Sequence, residues 1–514
     1  MLQVRNLTVT HKKDNRILLD GFSFVLNAGD KIAIIGEEGN GKSTLLKLIY
    51  DERLVENYID YSGEIIHNKM KIGYLPQEIS QREKDLSAYA YMCEKESFFD
   101  ANPGEVAQVC SRLRLPMELL YSEQILGQMS GGEKIKLQLA RIIVSNPDVL
   151  FLDEPSNDLD IATVEWLETF IRESQIPVLF ISHDEMLLEN TANKIIHLEQ
   201  IMRKTQSRVT VAKQGYKEYI GQRNSNLAHQ EQVAKNERIE FAKQQEKFRQ
   251  IRQKIEHQQN VISRQDPFGG ASLRRSMHKV KANEARFEKQ YENMTEIPET
   301  EDAIFIKFGE QANLPFGKVV LDMHLPELKV EEKRLAQNVN LCVRGPEKIC
   351  IIGKNGCGKT TLLRQIVEEL NLRKDIKVSY MPQNYEEMLD EKLTPVEYLL
   401  TTGSKEESSR IRTYLGSMKY TADEMMHPIA DLSGGQKAKL LLLQMSMSGS
   451  NVLILDEPTR NFSPLSNPVI RQMLKEFGGA IISISHDRKY IEEVAEKVYE
   501  LTETGLHEKR SSRK

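Results

Sequence analysis

No stretch of this 514-residue chain approaches the roughly 18–20 consecutive apolar residues that a helix needs to cross a bilayer. The first residues, Met1-Leu2-Gln3-Val4-Arg5-Asn6-Leu7, run directly into a strand-like pattern and show no apolar signal segment, so a cytoplasmic chain is expected. Cysteine is scarce. The five present (Cys93, Cys110, Cys342, Cys350, Cys357) have no paired metal-ligand spacing and read as reduced thiols. No excess of one charge dominates either: a net charge of −5 with 28% charged residues describes an ordinary soluble protein. The length suggests two to four domains with ample buried cores.

What the chain does have is repetition. Gly36-Glu37-Glu38-Gly39-Asn40-Gly41-Lys42-Ser43 returns as Gly353-Lys354-Asn355-Gly356-Cys357-Gly358-Lys359-Thr360. Ser130-Gly131-Gly132-Glu133 returns as Ser433-Gly434-Gly435-Gln436, Leu152-Asp153-Glu154-Pro155 as Leu455-Asp456-Glu457-Pro458, and Ser182-His183-Asp184 as Ser485-His486-Asp487. The last three pairs are all separated by 303 positions. Short apolar runs such as Ile32-Ala33-Ile34-Ile35 and Val149-Leu150-Phe151-Leu152 alternate with helical stretches in both halves. That pattern predicts two tandem α/β nucleotide-binding domains, residues 1–204 and 302–505, each with a mainly parallel sheet. A short basic tail, 506–514, is expected to follow, without a C-terminal coiled coil.

Residues 205–301 differ in kind. From Thr205 to Thr300 there are 18 Lys and Arg against 12 Asp and Glu, a net of +6 inside a chain of net −5. Leu227, Ala234, Phe241, Phe248, Ile255 and Ile262 recur every seven residues. After a break at Asp266-Pro267-Phe268-Gly269-Gly270, an alternating 4,3 spacing links Leu273, Met277, Val280, Phe287, Tyr291 and Met294, interrupted by Glu284. Two heptad helices joined by a Pro/Gly loop predict an antiparallel helical hairpin. Its tip is expected at 263–272, with Phe268 as an exposed probe and Arg274, Arg275, Lys279 and Lys281 as the cationic groups for a polyanion. A solvated spacer would account for the charge but not for its concentration near the tip.

The chemistry follows from residue type and position. Each glycine-rich motif ends an apolar run and opens a helix, the context of a phosphate loop. Gly36, Gly39, Gly41 and their counterparts Gly353, Gly356 and Gly358, with Asn355, let backbone N–H groups approach phosphates. Lys42 and Lys359 are placed for the β/γ oxygens, Ser43 and Thr360 for Mg²⁺, and Thr44 and Thr361 continue the cradle. Asp153 and Asp456 end apolar strands and are the other magnesium candidates. Glu154 and Glu457 are candidates to polarise water, and His183 and His486, each 29 residues further on, to sense the γ-phosphate. Gln77 and Gln383 complete the set. Ser130-Gly131-Gly132 and Ser433-Gly434-Gly435-Gln436 open helices and predict further phosphate-facing N-termini.

Together these motifs resemble ATP-binding cassette (ABC) ATPases over essentially the whole chain apart from residues 205–301. The resemblance implies ATP and Mg²⁺ as cofactors and a head-to-tail closure within a monomer. The ATP on Lys42 would then be completed by Ser433-Gly434-Gly435, and that on Lys359 by Ser130-Gly131-Gly132. Two cassettes, no membrane domain and a basic helical hairpin resemble the ABC-F group, whose members bind the ribosome and send the hairpin through the tRNA exit site. That resemblance supplies the expected partners: ribosome, rRNA and P-site tRNA.

Departures from the group's pattern refine the expectation. Housekeeping members often carry an arm between the glutamine and the signature. Here Gln77 to Ser130 spans 53 residues, against 50 from Gln383 to Ser433, which leaves no room for one. Ser463 stands where the first half has Asp160. Both features resemble the antibiotic-resistance proteins of the Lsa/Vga type, which protect ribosomes against lincosamides, pleuromutilins and streptogramins A. A housekeeping translation factor, an ABC transporter subunit and a DNA-repair ATPase are the alternatives. For the aromatic that stacks on adenine, the resemblance points near His11 in the first half and to no particular residue in the second.

Overall fold

The computed structural model describes residues 2–201, 205–261, 267–290, 294–295, 297–298, 308–309, 312–331 and 333–509. In the first half the strands are β1 Leu2–His11, β2 Ile17–Leu26, β3 Lys31–Ile35, β4 Ile59–Ile66, β5 Ile72–Leu75, β6 Val149–Asp153, β7 Val178–Ile181, β8 Lys194–Ile201 and β9 Gln206–Ala212. In the second they are β10 Val319–Val330, β11 Lys333–Arg344, β12 Lys348–Ile352, β13 Val378–Met381, β14 Val452–Asp456, β15 Ala480–Ile484, β16 Lys497–Thr502 and β17 Gly505–Lys509. The two main sheets have the same order, β5-β6-β7-β3-β8-β9 and β13-β14-β15-β12-β16-β17. Five strands of each are parallel, and β9 and β17 close one edge antiparallel.

Every residue of β3, β6, β7, β12, β14 and β15 is buried. A parallel strand covered by helices on both faces has no solvent side, which is why these segments read as unbroken apolar runs. Ligands of such sheets sit beyond the carboxyl ends of the strands. The order of the strands therefore places the phosphate loop after β3, Asp153 at the end of β6 and His183 after β7 at one rim, and their counterparts likewise in the second half.

The halves differ in their small antiparallel sheets. Among the described residues the first has three strands, β2-β1-β4, and the second two, β10-β11. Lys42 and Gln77 are 35 positions apart but Lys359 and Gln383 only 24, and β4 lies within the longer interval.

Two expected boundaries move. β9 pairs antiparallel with β8, from Ile201↔Gln206 to Ile195↔Ala212, so residues 206–212 belong to the first sheet and the long helix begins at Tyr216. Residues 505–509 pair with β16 through a turn at Gly505, φ +135°, so the expected tail starts with sheet. Residues 510–514 lie outside the described residues.

The chain divides into two compact units, Met1–Tyr216 with Glu301–Lys514, and Lys217–Thr300. The second consists of the helix Tyr216–Val261, less its first residue, and the helix Pro267–Gln290. Phe287 stacks on Phe241 at 5.4 Å and meets Phe248 at 5.6 Å, and Glu237 accepts from the backbone N–H of Thr295 at 2.7 Å, an antiparallel register. Ala234 and Ile255 are buried and Leu227, Phe241, Phe248, Leu273, Met277 and Val280 half-buried, so the heptad positions are the ones that pack. The expected tip loop is shorter on its far side. Pro267 opens the second helix and puts Phe268, Gly269 and Gly270 on its first turn, because proline has a preset φ and needs no helical N–H partner there. Residues 262–266 and the side chain of Phe268 lie outside the described residues.

Candidate nucleotide-binding sites

Each phosphate loop is a backbone nest closed by its own lysine. Lys42 Nζ donates to the carbonyls of Gly36 (2.9 Å) and Glu37 (3.1 Å), and Lys359 Nζ to those of Gly353 (2.8 Å) and Lys354 (3.0 Å). The helices behind, Lys42–Tyr50 and Lys359–Asn371, start from left-handed Gly41 and Gly358 with no side-chain cap, which leaves their first N–H groups for an anion. Gly36 is required as glycine: its φ is +149° and a Cβ would lie 2.3 Å from the carbonyl oxygen of Leu198. Ser43 Oγ donates to Asp153 at 2.9 Å and Thr360 Oγ1 to Asp456 at 2.8 Å. Among the described residues no group of three His, Cys, Asp or Glu forms a metal cage. A hydroxyl beside one carboxylate, with phosphates supplying the rest, is the donor set Mg²⁺ takes in such sites. Thr361 and Gly356 line the second site, and Thr44 lies in the helix behind the first loop, beside Tyr58.

The two glutamates occupy different surroundings. Both have positive φ, +50° at Glu154 and +53° at Glu457, a strained turn directly after the strand. Glu154 accepts from Gln77 Nε2 (2.9 Å) and Asn157 Nδ2 (2.6 Å), and His183 Nε2 lies 3.1 Å from its Oε1. Burial would push its pKa up, but His183, Lys42 and Asn157 outweigh it and bring it to about 2. Among the described residues Glu457 accepts one backbone N–H, that of His486 at 3.2 Å, while His486 Nε2 stays 3.8 Å away. Burial, with Asp456 adjacent, pushes Glu457 up to about 8, and burial with Lys359 lowers His486 to about 4. Asp153 is raised to about 6 by burial and Asp456 is raised by the same cause.

Both signature helices, Gly131–Val144 and Gly434–Ser448, begin with a capping box in which Ser130 pairs with Glu133 and Ser433 with Gln436. Gln436, expected at the nucleotide, is thus engaged at the helix end, its Oε1 accepting from Ser433 N at 3.0 Å. The two halves meet head to tail. Gly435 N donates to Glu38 of the first phosphate loop at 2.6 Å. Gly131 approaches the second loop: a Cβ there would be 3.5 Å from Asn355 Nδ2 and 2.5 Å from the carbonyl oxygen of Asp158. Gly132 packs on Thr163. Asn355 donates to the Asp158 carbonyl, Gln383 to the Asp158 carboxylate at 3.4 Å, and His183 Nδ1 to the carbonyl of Phe462 at 2.7 Å. A cavity of about 630 Å³ lies on the second site, with Lys359, Thr360, Asp456 and His486 facing Asp158 of the first half.

Several residues take roles that the sequence alone does not suggest. Asp158 meets the second phosphate loop through Asn355, and Arg460 of the second half donates to its carboxylate at 3.0 Å. Asp160 instead caps the helix Ile161–Glu173 through Thr163 N. With Ser463 in its place, the matching helix starts only at Asn467. Val330 and Leu335 line the second cavity, at the β10–β11 turn that corresponds to the β1–β2 turn beside His11. His11 itself bonds Asp14 at 2.8 Å and lies 6.5 Å from the Tyr58 ring. On the helical unit Arg274, Arg275, Lys279 and Lys281 are all exposed.

A doubled parallel sheet with glycine-rich loops, Asp–Glu pairs and Ser-Gly-Gly helices facing across an interface is the architecture of tandem nucleotide-binding domains. The family model described as "ABC transporter" matches residues 19–157 and 336–460, half of the chain, and the chain belongs to that family of ATPases, which take ATP with Mg²⁺. It is 27% identical to ABC transporter F family member 5 of Arabidopsis thaliana, over 96% of this chain and 74% of the relative. It is 26% identical to ATP-binding protein Uup of Buchnera aphidicola, over 98% and 81%. Among solved structures it is similar in fold, with TM-score 0.60 at 16% identity over 98% and 90%, to an archaeal ribosome recycling factor crystallised with a ribosomal stalk protein. No helix among the described residues is long and apolar enough to cross a membrane.

Proposed function

We propose that this chain is an ABC-F ATPase that binds the ribosome, with residues 205–301 as the element that reaches rRNA and P-site tRNA from the tRNA exit site. The observation that carries the reading is the basic two-helix unit set between two cassettes in sequence, with Arg274, Arg275, Lys279 and Lys281 exposed together on one helix. A stretch of net +6 in a chain of net −5 suits a polyanion. F-family and Uup relatives matching nearly the full length support the same reading.

In this reading Lys42 and Lys359 hold the phosphates, Ser43 with Asp153 and Thr360 with Asp456 hold Mg²⁺, and Glu154 and Glu457 orient and polarise the attacking water. His183 and His486 position those glutamates, and Gly131, Gly132, Gly434 and Gly435 close each site from the opposite half. The protein works as a cytoplasmic monomer. Its specific role is protection of the ribosome against lincosamides, pleuromutilins and streptogramins A, with Phe268 at the tip. The short interval from Gln77 to Ser130 and Ser463 in the second half support this role. A translation factor without drug specificity fits the same geometry and the same relatives.

The deciding experiment pellets ribosomes with a Glu154→Gln, Glu457→Gln variant in ATP, then measures minimum inhibitory concentrations with and without the wild-type protein. Co-sedimentation with raised drug tolerance is expected. Co-sedimentation without any change in tolerance assigns the translation-factor role, and no co-sedimentation refutes the ribosomal reading.

A further inference from the structure

The two phosphate loops differ where they face the opposite half. Glu37-Glu38 carry −2 in the first loop, and Lys354-Asn355 carry +1 at the same positions of the second. Glu38 Oε2 accepts the N–H of Gly435 at 2.6 Å, and Glu38 Oε1 lies 3.5 Å from where a Cβ on Gly434 would be. This carboxylate therefore covers the N-terminus of the 15-residue helix Gly434–Ser448, whose unpaired amides and dipole end favour one negative group. In the second site the matching residue is neutral: Asn355 donates to the Asp158 carbonyl beside Gly131.

Glu37 is engaged just as closely. Its Oε1 accepts from Ser466 Oγ at 2.6 Å and Ser463 Oγ at 3.0 Å, and Oε2 lies 3.6 Å from buried Lys439. Ser463 and Ser466 are buried as well. Burial would raise this carboxyl, but Lys439, the two hydroxyls and Lys419 bring it down to about 2. An aspartate at 463, like Asp160 in the first half, would set two carboxylates against each other at this distance. Serine at 463 and glutamate at 37 are thus complementary across the interface.

We propose that Glu38 is an intramolecular competitor for the anion seat at Gly435, and that the Glu37-Glu38 pair makes the site of Lys42 the weaker of the two for a nucleoside triphosphate. The acidic pair acts as a specificity-determining element within the first phosphate loop. It ties that loop to the second half through Ser463, Ser466, Lys439 and Gly435, and a triphosphate entering there must displace a carboxylate from the signature amides and accept its charge nearby. The inference rests on both loops taking ATP and is independent of the ribosome.

The test is calorimetric titration of the full-length protein with Mg²⁺ and adenylyl imidodiphosphate, which is not hydrolysed. Two unequal steps are expected in the wild type, with Lys42→Ala removing the weak one and Lys359→Ala the tight one. Glu38→Asn and Glu38→Gln should each tighten the weak step about 10–100-fold, the effect of relieving one close like charge, and leave the tight step within about twofold. Asn355→Glu should weaken the tight step by a similar factor, which decides the matter even if a Glu38 variant folds poorly. Two equal steps in the wild type, Lys42→Ala removing the tight step, or Glu38 variants that bind as before would each overturn the proposal. Failure of any nucleotide to bind would instead overturn the ATP reading on which it stands.

Discussion

Replacing Arg471 with alanine should break a deeply buried ion pair between the two halves. Arg471, in the helix Asn467–Glu476, is 3% exposed and donates to Glu185 of the first half at 2.5 Å, and to Glu493 of its own half at 2.9 Å. Glu185 is 6% exposed, and among the described residues its further cation is Lys489, at 3.2 Å. Burial raises the pKa of Glu185 even though Arg471 and Lys489 oppose it, so its charge in the folded protein depends on those two cations. Removing one partner of such a pair costs about 3–5 kcal/mol, because the other charge stays buried. Trp166 is the chain's single tryptophan and is buried on the helix Ile161–Glu173, whose Glu168 pairs with Arg488 of the second half. Its fluorescence in a urea titration therefore reports on the half that holds Glu185. The sign of the pH dependence is fixed. A carboxyl whose folded pKa lies above its unfolded value keeps a proton that the unfolded chain releases, so stability falls as pH rises through that interval. Without Arg471 the interval widens upward, and the deficit should be larger at pH 8 than at pH 5. Replacing both Arg471 and Glu185 with methionine should cost less than Arg471→Ala alone. A deficit below about 1 kcal/mol at both pH values, or a double variant as costly as the sum of its parts, would refute the reasoning.

Glu154→Gln with Glu457→Gln should keep ATP binding, since the lysines, hydroxyls and aspartates survive, while phosphate release falls about 10²–10⁴-fold. A filter-binding and phosphate-release pair of assays checks it, and near-normal turnover removes both glutamates from that role. Arg274→Ala with Arg275→Ala should weaken ribosome pelleting and flatten its dependence on log salt by about 1–2, because each arginine neutralises one phosphate. An unchanged slope would place these arginines away from phosphates.

Much of the fold can be read directly because its signals are contiguous. Phosphate loops, strand-ending Asp–Glu pairs and fully buried strands each lie within about ten residues, and the heptads of residues 227–287 match the positions that pack. Edge strands are harder to read. β9 and β17 mix apolar residues with Arg208, His507 and Glu508, because one flank of an edge strand meets water, so both resemble linker or tail by composition. The cap role of Gln436 is legible in its spacing to Ser433, the Ser-x-x-Gln box, but the signature motif points equally to a ligand at the same residue. Glu37, Glu38, Asp158 and Arg460 acquire meaning only when residues some 200 to 430 positions apart are brought together, and no local pattern encodes that. Ser463 stands out as a departure, but its partner Glu37 cannot be named without the interface.

Among the described residues the second small sheet has two strands, which leaves one edge strand to guard itself. In the first half β4 covers the outer side of β1, but β10, the equivalent strand, has no partner on that side among the described residues. Arg373 donates to the carbonyls of Val319 and Val320 at the start of the strand, and an uncovered edge beyond them would invite a foreign strand to add on and seed aggregation. The strand discourages this within its own sequence. Pro326 removes a donor midway along it, and exposed Asp322, His324, Glu327 and Lys329 put charged or polar groups where an incoming chain would seek apolar contact. Strand β10 thus carries its own guard against unwanted pairing, whereas β1 relies on the cover of β4.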